Sequence, residues 1–150
     1  MDTFRVALFG HREFDGHRII EKDLPKILGK LLREKEYIEI LIGRNGEFDI
    51  FSASVIKKFK RLHSVDNLDL NVVIPYVTKD VEFYERYYDN IILPETVEHF
   101  HPKGRIEARN KWMIEQADLI ICYVNQSSGG AYKALEYARA VGRYIINLAY

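Results

Sequence analysis

Short apolar runs alternate with amphipathic stretches along the chain. Between the apolar runs, hydrophobic positions recur every three or four residues, which is typical of helices with one buried face. The apolar runs predict strands over residues 4–9, 37–42, 70–75, 118–124 and 143–148. The amphipathic stretches predict helices over 16–35, 48–63, 106–116 and 130–141. Buried strands that alternate with helices indicate a parallel sheet covered on both faces.

The sequence therefore predicts an α/β fold, namely a Rossmann-like open sheet. We expect the sheet to be mostly parallel, with five strands or slightly more and helices on both faces. Residues 1–150 show no linker, repeat or low-complexity tract, so we expect a single domain. Pro25 predicts a kink or a second start within the first helix. Residues 76–102 are harder to assign, although 81–88 indicates a helix and 91–93 a short apolar piece.

Composition and charge exclude several classes of protein. The 22 basic and 22 acidic side chains cancel, which argues against nucleic-acid binding because such proteins usually carry a basic excess. Cys122 is the single cysteine, so no intrachain disulfide can form, and its apolar surroundings predict a core residue. We expect no leader, and the sequence contains no apolar run of about 18 residues. We expect a cytoplasmic protein without a membrane partner.

Ligands of open parallel sheets bind beyond the carboxyl ends of the strands, where the strand order reverses. The first loop at such a position is Gly10-His11-Arg12. Glycine lets the backbone turn sharply and approach a ligand closely. Arg12 offers a planar, bidentate contact to phosphate. We therefore treat Gly10, His11 and Arg12 as candidate ligand-binding residues, although a tight turn followed by solvated charges would look similar.

A second loop of this kind follows the second predicted strand. Gly43 and Gly46 lie three residues apart, just before a predicted helix. Such a loop can leave backbone N–H groups pointing into a cavity. Asp49 could accept a hydrogen bond from a ligand hydroxyl, or it could simply flank the start of the helix.

The third loop, Ser127-Ser128-Gly129-Gly130, joins a buried strand to a helix that carries Lys133. Free amides, hydroxyl groups and the positive end of the helix dipole converge at such a loop, which favours phosphate binding. The spacing is neither that of the P-loop of nucleotide triphosphatases nor that of the dinucleotide fingerprint. A flexible loop without a ligand is the alternative.

Other residue types give weaker indications. Glu136 lies off the apolar face of the last helix, and periodicity alone makes it a solvated glutamate. His99 and His101, with Glu98, could bind a metal, but they lie in a loop-rich region and lack the usual ligand spacing. The sequence predicts no metal and no cofactor.

Several motifs resemble the LOG and DprA-like superfamily, known as SLOG. LOG enzymes share an Arg-Lys-x-x-Met stretch, an Ala-Asp strand start and a Pro-Gly-Gly-x-Gly-Thr-x-x-Glu motif. The similar segments here are 109–113, 117–121 and 129–136. The first two loops are similar to those of its small bacterial YpsA-like members. The resemblance spans nearly the whole chain, with 76–102 the least covered.

This resemblance implies a Rossmann-like domain that binds nucleotides or their derivatives. LOG enzymes cut the N-glycosidic bond of nucleoside monophosphates and release the base and ribose 5-phosphate. By that resemblance Arg109 matches the catalytic arginine, and Glu136 matches the glutamate that ends the glycine motif. A carboxylate can stabilise the oxocarbenium-like state or activate water, while an arginine holds the substrate.

Four positions depart from the LOG pattern, and they affect the reaction more than the ligand class. Where that pattern has lysine, proline, glycine and threonine, this sequence has Asn110, Ser128, Tyr132 and Lys133. The leading hypothesis is a sensor or regulatory domain for a small nucleotide-type ligand. The alternatives are a phosphoribohydrolase using Arg109 and Glu136, and DprA-like binding of single-stranded nucleic acid, which the neutral charge disfavours.

Ten tyrosines are present, several of them close together at Tyr84, Tyr87 and Tyr88. Tyrosine packs and hydrogen-bonds at once, so such clusters suit interfaces or the rims of ligand sites. The resemblance to the superfamily also implies oligomerisation. Together with this cluster, it predicts a homo-oligomer.

Overall fold

The computed structural model describes residues 2–150 and consists of six strands and six helices with one 3-10 turn. The strands are β1 (Thr3–Gly10), β2 (Tyr37–Ile42), β3 (Leu68–Val73), β4 (Asn90–Ile92), β5 (Leu119–Tyr123) and β6 (Tyr144–Asn147). The helices are α1 (His17–Glu34), α2 (Glu47–Leu62), α3 (Val81–Tyr87), α4 (Glu95–Glu98), α5 (Arg105–Gln116) and α6 (Gly130–Ala140). The 3-10 turn is Pro102–Gly104.

All six strands are parallel and form one sheet in the order β4-β3-β2-β1-β5-β6. The chain moves outward from β1 to β4, then crosses to the other side of β1 to build β5 and β6. The strand order therefore reverses between β1 and β5. Helices that follow β1, β2 and β5 begin at the carboxyl edge of the sheet, so their preceding loops gather there.

The sheet separates two apolar cores, because successive strand residues point to opposite faces. In β1, Val6 and Leu8 pack with α1 and α2, whereas Ala7 and Phe9 pack with α5 and α6. Cys122 belongs to the second core and is wholly buried, which raises the pKa of its thiol to about 12. It is a core residue, as its apolar context predicts.

The predicted α/β Rossmann-like fold is confirmed, with helices on both faces of the sheet. The additional strand, β4, comes from the region that was hard to assign, and it pairs with the end of β3. α1 runs through Pro25 as one helix, so no second helix starts there. No helix within residues 2–150 is both long and apolar enough to cross a membrane.

The aromatic residues of α3 surround a cation from the loop after β2. The guanidinium carbon of Arg44 lies 4.9–5.8 Å from the ring centroids of four aromatic residues: Phe83, Tyr84, Tyr87 and Tyr88. Arg44 Nη1 also donates to the hydroxyl of Tyr88 at 2.8 Å. These contacts hold α3 against the loop. The tyrosine cluster thus has an intrachain function, and the homo-oligomer stays a prediction.

Close packing at the end of β1 requires a residue without a side chain. Phe48, in the first turn of α2, is wholly buried against the backbone of Gly10. A Cβ atom on Gly10 would lie closer than 3.0 Å to the Phe48 ring. Gly10 therefore lets α2 approach the carboxyl end of β1, where the predicted ligand-binding loops lie.

We expect Gly10→Ala to lower the free energy of unfolding by about 1–3 kcal/mol, because the added methyl group displaces a buried aromatic ring. Urea denaturation measures the change. Gly29→Ala is the matched control, since a Cβ there has its nearest neighbour, Arg33 Nη1, at 3.7 Å. In mid-helix this control should raise stability by about 0.5–1 kcal/mol. Equal stability of the two variants would contradict the packing assigned to Gly10.

Candidate functional site

A cleft of about 200 Å³ opens at the carboxyl edge of the sheet, beside the point where the strand order reverses. Its floor is the end of β1, and its walls come from the loop after β2, one face of α5 and the first turn of α6. The lining residues that the sequence singled out are Gly10, Arg12, Gly43, Gly46, Asp49, Arg109 and Gly130. Residues from all three predicted loops therefore meet at one cleft.

Arg109 is the central polar residue of this cleft, and it is only 3% exposed. Its Nη1 donates to the carbonyl oxygen of Val73 at 2.8 Å, and its Nη2 donates to Asn45 Oδ1 at 2.8 Å. Its Nε donates to Asn110 Oδ1 at 2.9 Å. All three nitrogens of the guanidinium thus bind the protein itself. Arg109 joins β3, the loop after β2 and α5 into one wall.

Asp49 is the buried carboxylate of the cleft, 9% exposed, and it accepts a hydrogen bond from the backbone N–H of Asn45 at 3.0 Å. Burial raises its pKa, and the nearby positive charges of Arg109 and Arg44 oppose that rise. Burial likewise lowers the pKa of Arg109, which the charge of Asp49 opposes. The two side chains support each other's charged state without forming a direct ion pair.

His11 connects the two strands at the reversal point. It is 6% exposed, and its Nε2 accepts hydrogen bonds from the backbone N–H groups of Asn125 at 3.1 Å and Gln126 at 3.2 Å. An accepting Nε2 places the proton of the neutral ring on Nδ1. Burial lowers the pKa of His11, which favours this neutral form. The ring thus anchors the loop that leads into α6.

Hydrogen bonds from backbone N–H groups hold the loops after β1 and β2 together. The N–H of Glu47 donates to the carbonyl oxygen of Arg12 at 2.8 Å, and the N–H of Phe14 donates to Glu47 Oε2 at 3.3 Å. A Cβ on Gly46 would collide with the Arg12 backbone. The Arg12 side chain remains exposed and lines the cleft. Its backbone is fixed while its guanidinium stays accessible to a ligand.

The first turn of α6 presents its backbone to the cleft through Gly130 and Ala131. No side chain caps this helix, and its first backbone bond runs from the N–H of Lys133 to the carbonyl of Gly129 at 3.1 Å. The amides before Lys133 therefore have no intrahelical partner. Gly129 has φ 94°, a conformation that favours glycine.

The cleft glycines fall into two groups. Cβ atoms on Gly10, Gly43 and Gly46 would strike Phe48, the Arg109 guanidinium and the Arg12 backbone. Those three glycines are therefore required by internal packing, and the close approach of a ligand at Gly10 stays a prediction. A Cβ on Gly130 would meet no atom within 4 Å. Gly130 is therefore the cleft glycine whose missing side chain leaves open space.

The other predicted site residues lie farther out. Ser127 and Ser128 are exposed beside the α6 N-terminus, and Lys133 is exposed one turn into that helix. Glu136 is exposed, pairs with Arg139 at 3.1 Å and does not line the cleft. Arg109 thus lines the cleft but Glu136 does not. The carboxylate that lines the cleft belongs to Asp49.

Several cleft residues were not identified from the sequence. Ile106, Asn110 and Met113 line the cleft from α5, beside Arg109. Their spacing of i, i+4 and i+7 places them on one face of the helix, so this face could have been predicted from the sequence. Asn45 carried no such signal, because only the fold brings it to Arg109.

The histidines of the loop-rich region make local contacts. His101 Nδ1 accepts from the N–H of Lys103 at 3.2 Å. Within the described chain, no group of three or more His, Cys, Asp or Glu side chains is arranged to hold a metal ion.

The fold is shared with solved structures of DNA processing protein A, DprA. The Streptococcus pneumoniae protein matches with a TM-score of 0.65 at 15% identity, covering 95% of this chain and 49% of that one. The Helicobacter pylori protein, described as binding single-stranded DNA, matches with a TM-score of 0.61 at 15% identity, covering 95% and 63%. This chain spans about half to just under two thirds of those proteins.

At this identity the likeness establishes the fold alone, and the resemblance to the SLOG superfamily stays a prediction. The closer resemblance to YpsA-like members stays a prediction. No family model and no curated protein matches the sequence.

The histidine anchor predicts a pH dependence of stability. Burial lowers the pKa of His11 below its ordinary value of 6.5. The contribution of His11 to the free energy of unfolding is therefore complete above pH 6.5, and it is lost as the pH falls through the lowered pKa. Between about pH 7 and pH 5, unfolding free energy should fall more steeply for the wild type than for His11→Gln, by at most ~1.4 kcal/mol per pH unit.

His11→Gln is a suitable control because its Oε1 can accept the same hydrogen bonds without titrating. Urea unfolding across this pH range measures the difference, and amide exchange at Asn125 and Gln126 localises it. Identical pH profiles for the two proteins would refute the anchoring function of His11.

Proposed function

We propose that this chain binds a small phosphorylated ligand of the nucleotide type in the cleft, and acts as a sensor or regulatory domain. One observation carries the proposal: the uncapped N-terminus of α6 opens onto the cleft at the point where the strand order reverses. Helix N-termini bind phosphate through their free amides and their dipole.

The surrounding charges favour an anionic ligand. Arg12 and Arg109 line the cleft against one buried carboxylate, Asp49. Arg109 is held by the protein, whereas Arg12 is exposed at the rim and forms no ion pair among the described residues. Arg12 is therefore the side chain that we assign to direct phosphate contact, because its planar guanidinium suits bidentate binding.

The geometry favours binding over hydrolysis. The phosphoribohydrolase alternative requires Arg109 and Glu136 to face one cavity beside Gly130. The Arg109 nitrogens are engaged by the protein, and Glu136 lies at the surface outside the cleft. Asp49 is the carboxylate placed to accept a hydrogen bond from a ligand hydroxyl, as one on a ribose.

We expect a nucleoside monophosphate, cyclic nucleotide or ADP-ribose-type nucleotide to raise the melting temperature, since a ligand that binds the native state stabilises it. The decisive variant is Gly130→Ala, which adds a methyl group to open cleft space without striking the protein. It should weaken binding at least about ten-fold, while Gly29→Ala binds like the wild type. Calorimetry measures both affinities.

Chromatography of the same mixtures shows whether free base is released. Free base from the wild type, but not from Glu136→Ala or Arg109→Ala, would establish the hydrolase instead. No shift in melting temperature across the whole panel would overturn the proposed ligand class.

Single-stranded nucleic acid is the second candidate ligand, and the fold shared with DprA favours it. A fluorophore-labelled oligothymidylate of about twenty nucleotides should then bind at low salt. Its binding should weaken as the salt concentration rises, because binding releases counterions from the nucleic acid. Arg12→Gln should reduce the steepness of that salt dependence. A flat anisotropy titration at low salt would exclude this candidate.

A further inference from the structure

A second cavity lies beside the cleft, between the facing sides of α5 and α6. This groove has a volume of about 190 Å³. Its charged lining residues are Lys103, Glu107, Lys111 and Lys133. Ile106, Asn110 and Gly130 line both the groove and the cleft, so the two cavities share a boundary. That boundary is open at Gly130, where no atom lies within 4 Å of a Cβ position.

The groove carries a local excess of positive charge in a chain whose total charge is zero. Three lysines line it against one acidic residue, Glu107. Glu107 pairs with Lys111 at 3.7 Å, and Lys111 also lies 5.3 Å from the centroid of the Tyr137 ring. Lys103 and Lys133 form no ion pair within residues 2–150. Two ammonium groups therefore remain available to an anion.

Each of the two cavities is small for a ligand site on its own. Sites for small molecules usually measure roughly 300–1,000 Å³. The cleft, at about 200 Å³, and the groove, at about 190 Å³, are each below that range. Together they reach it, and Gly130 lies at their shared boundary.

We propose that the groove is a second phosphate subsite, and that the ligand carries a second phosphate which Lys103 and Lys133 bind. This inference rests on the proposed function, because it places the first phosphate of the same ligand at the α6 N-terminus. The second phosphate can be linked directly, as in a nucleoside diphosphate, or across a nucleoside, as in a dinucleotide. A nucleoside monophosphate has no second phosphate to place in the groove.

The test compares AMP, ADP and the 5′-phosphorylated dinucleotide pApA by calorimetry at low ionic strength. Should another monophosphate of the panel bind more tightly, all three probes are made with that base. We expect ADP or pApA to bind roughly ten-fold more tightly than AMP, because charge-assisted contacts to a second phosphate are added. Whichever of the two shows this gain identifies how the phosphates are linked.

The double variant Lys103→Gln/Lys133→Gln should reduce that gain to less than about two-fold. The matched control, Lys26→Gln/Lys30→Gln, removes the same charge from exposed positions of α1, on the other face of the sheet, and should retain the full gain. Melting temperatures of both double variants verify that they are folded.

The outcomes separate the two proposals. If AMP binds but neither ADP nor pApA binds more tightly, the groove is not a phosphate subsite and the proposed function stands. An equal gain in the wild type and the groove variant also overturns the assignment of Lys103 and Lys133. If none of the three probes binds, the proposed function fails and the second subsite fails with it.

Discussion

The buried guanidinium of Arg109 is the constraint on which the carboxyl edge of the sheet depends. A charged group in a protein interior is strongly unfavourable unless hydrogen bonds and an opposite charge compensate it. Here three acceptors on three different segments provide the hydrogen bonds, and Asp49 provides the charge. Because those acceptors must stay in place, the loop after β2, the end of β3 and α5 are fixed relative to one another.

This arrangement gives the cleft one side fixed by buried contacts and an opposite side formed by an exposed loop. The fixed side consists of Arg109, its acceptors and the glycines that pack against Phe48 and Arg12. The opposite side is the exposed loop from β5 into α6, whose start is anchored by the neutral imidazole of His11 and by the side-chain amide of Asn147. A preformed wall lowers the entropy cost of binding a ligand.

The sequence was sufficient for most of the fold, because apolar residues predominate in the buried strands and each long helix has one apolar stripe. β4 was harder to assign, since its three residues are too few to show a period. The loops of the cleft could also be located, because carboxyl ends of parallel strands meet at one edge.

The functions of individual side chains could not be read in this way. Arg109 binds partners 36 and 64 positions away, and neither separation leaves a local pattern. Phe48 and Gly10 are likewise matched only in three dimensions. For Glu136, helical periodicity indicated solvent exposure and the family resemblance indicated catalysis; the structure places the side chain at the surface. Periodicity was the better guide there because it reflects packing directly.

The burial of Cys122 makes this chain convenient for spectroscopy. The single thiol is inaccessible and has a raised pKa, so maleimide or nitroxide reagents find no reactive cysteine on the folded surface. A cysteine introduced at exposed Ser127 would then be the sole labelled position, with no need to remove a native one. A probe there would report directly on movements of the loop that leads into α6.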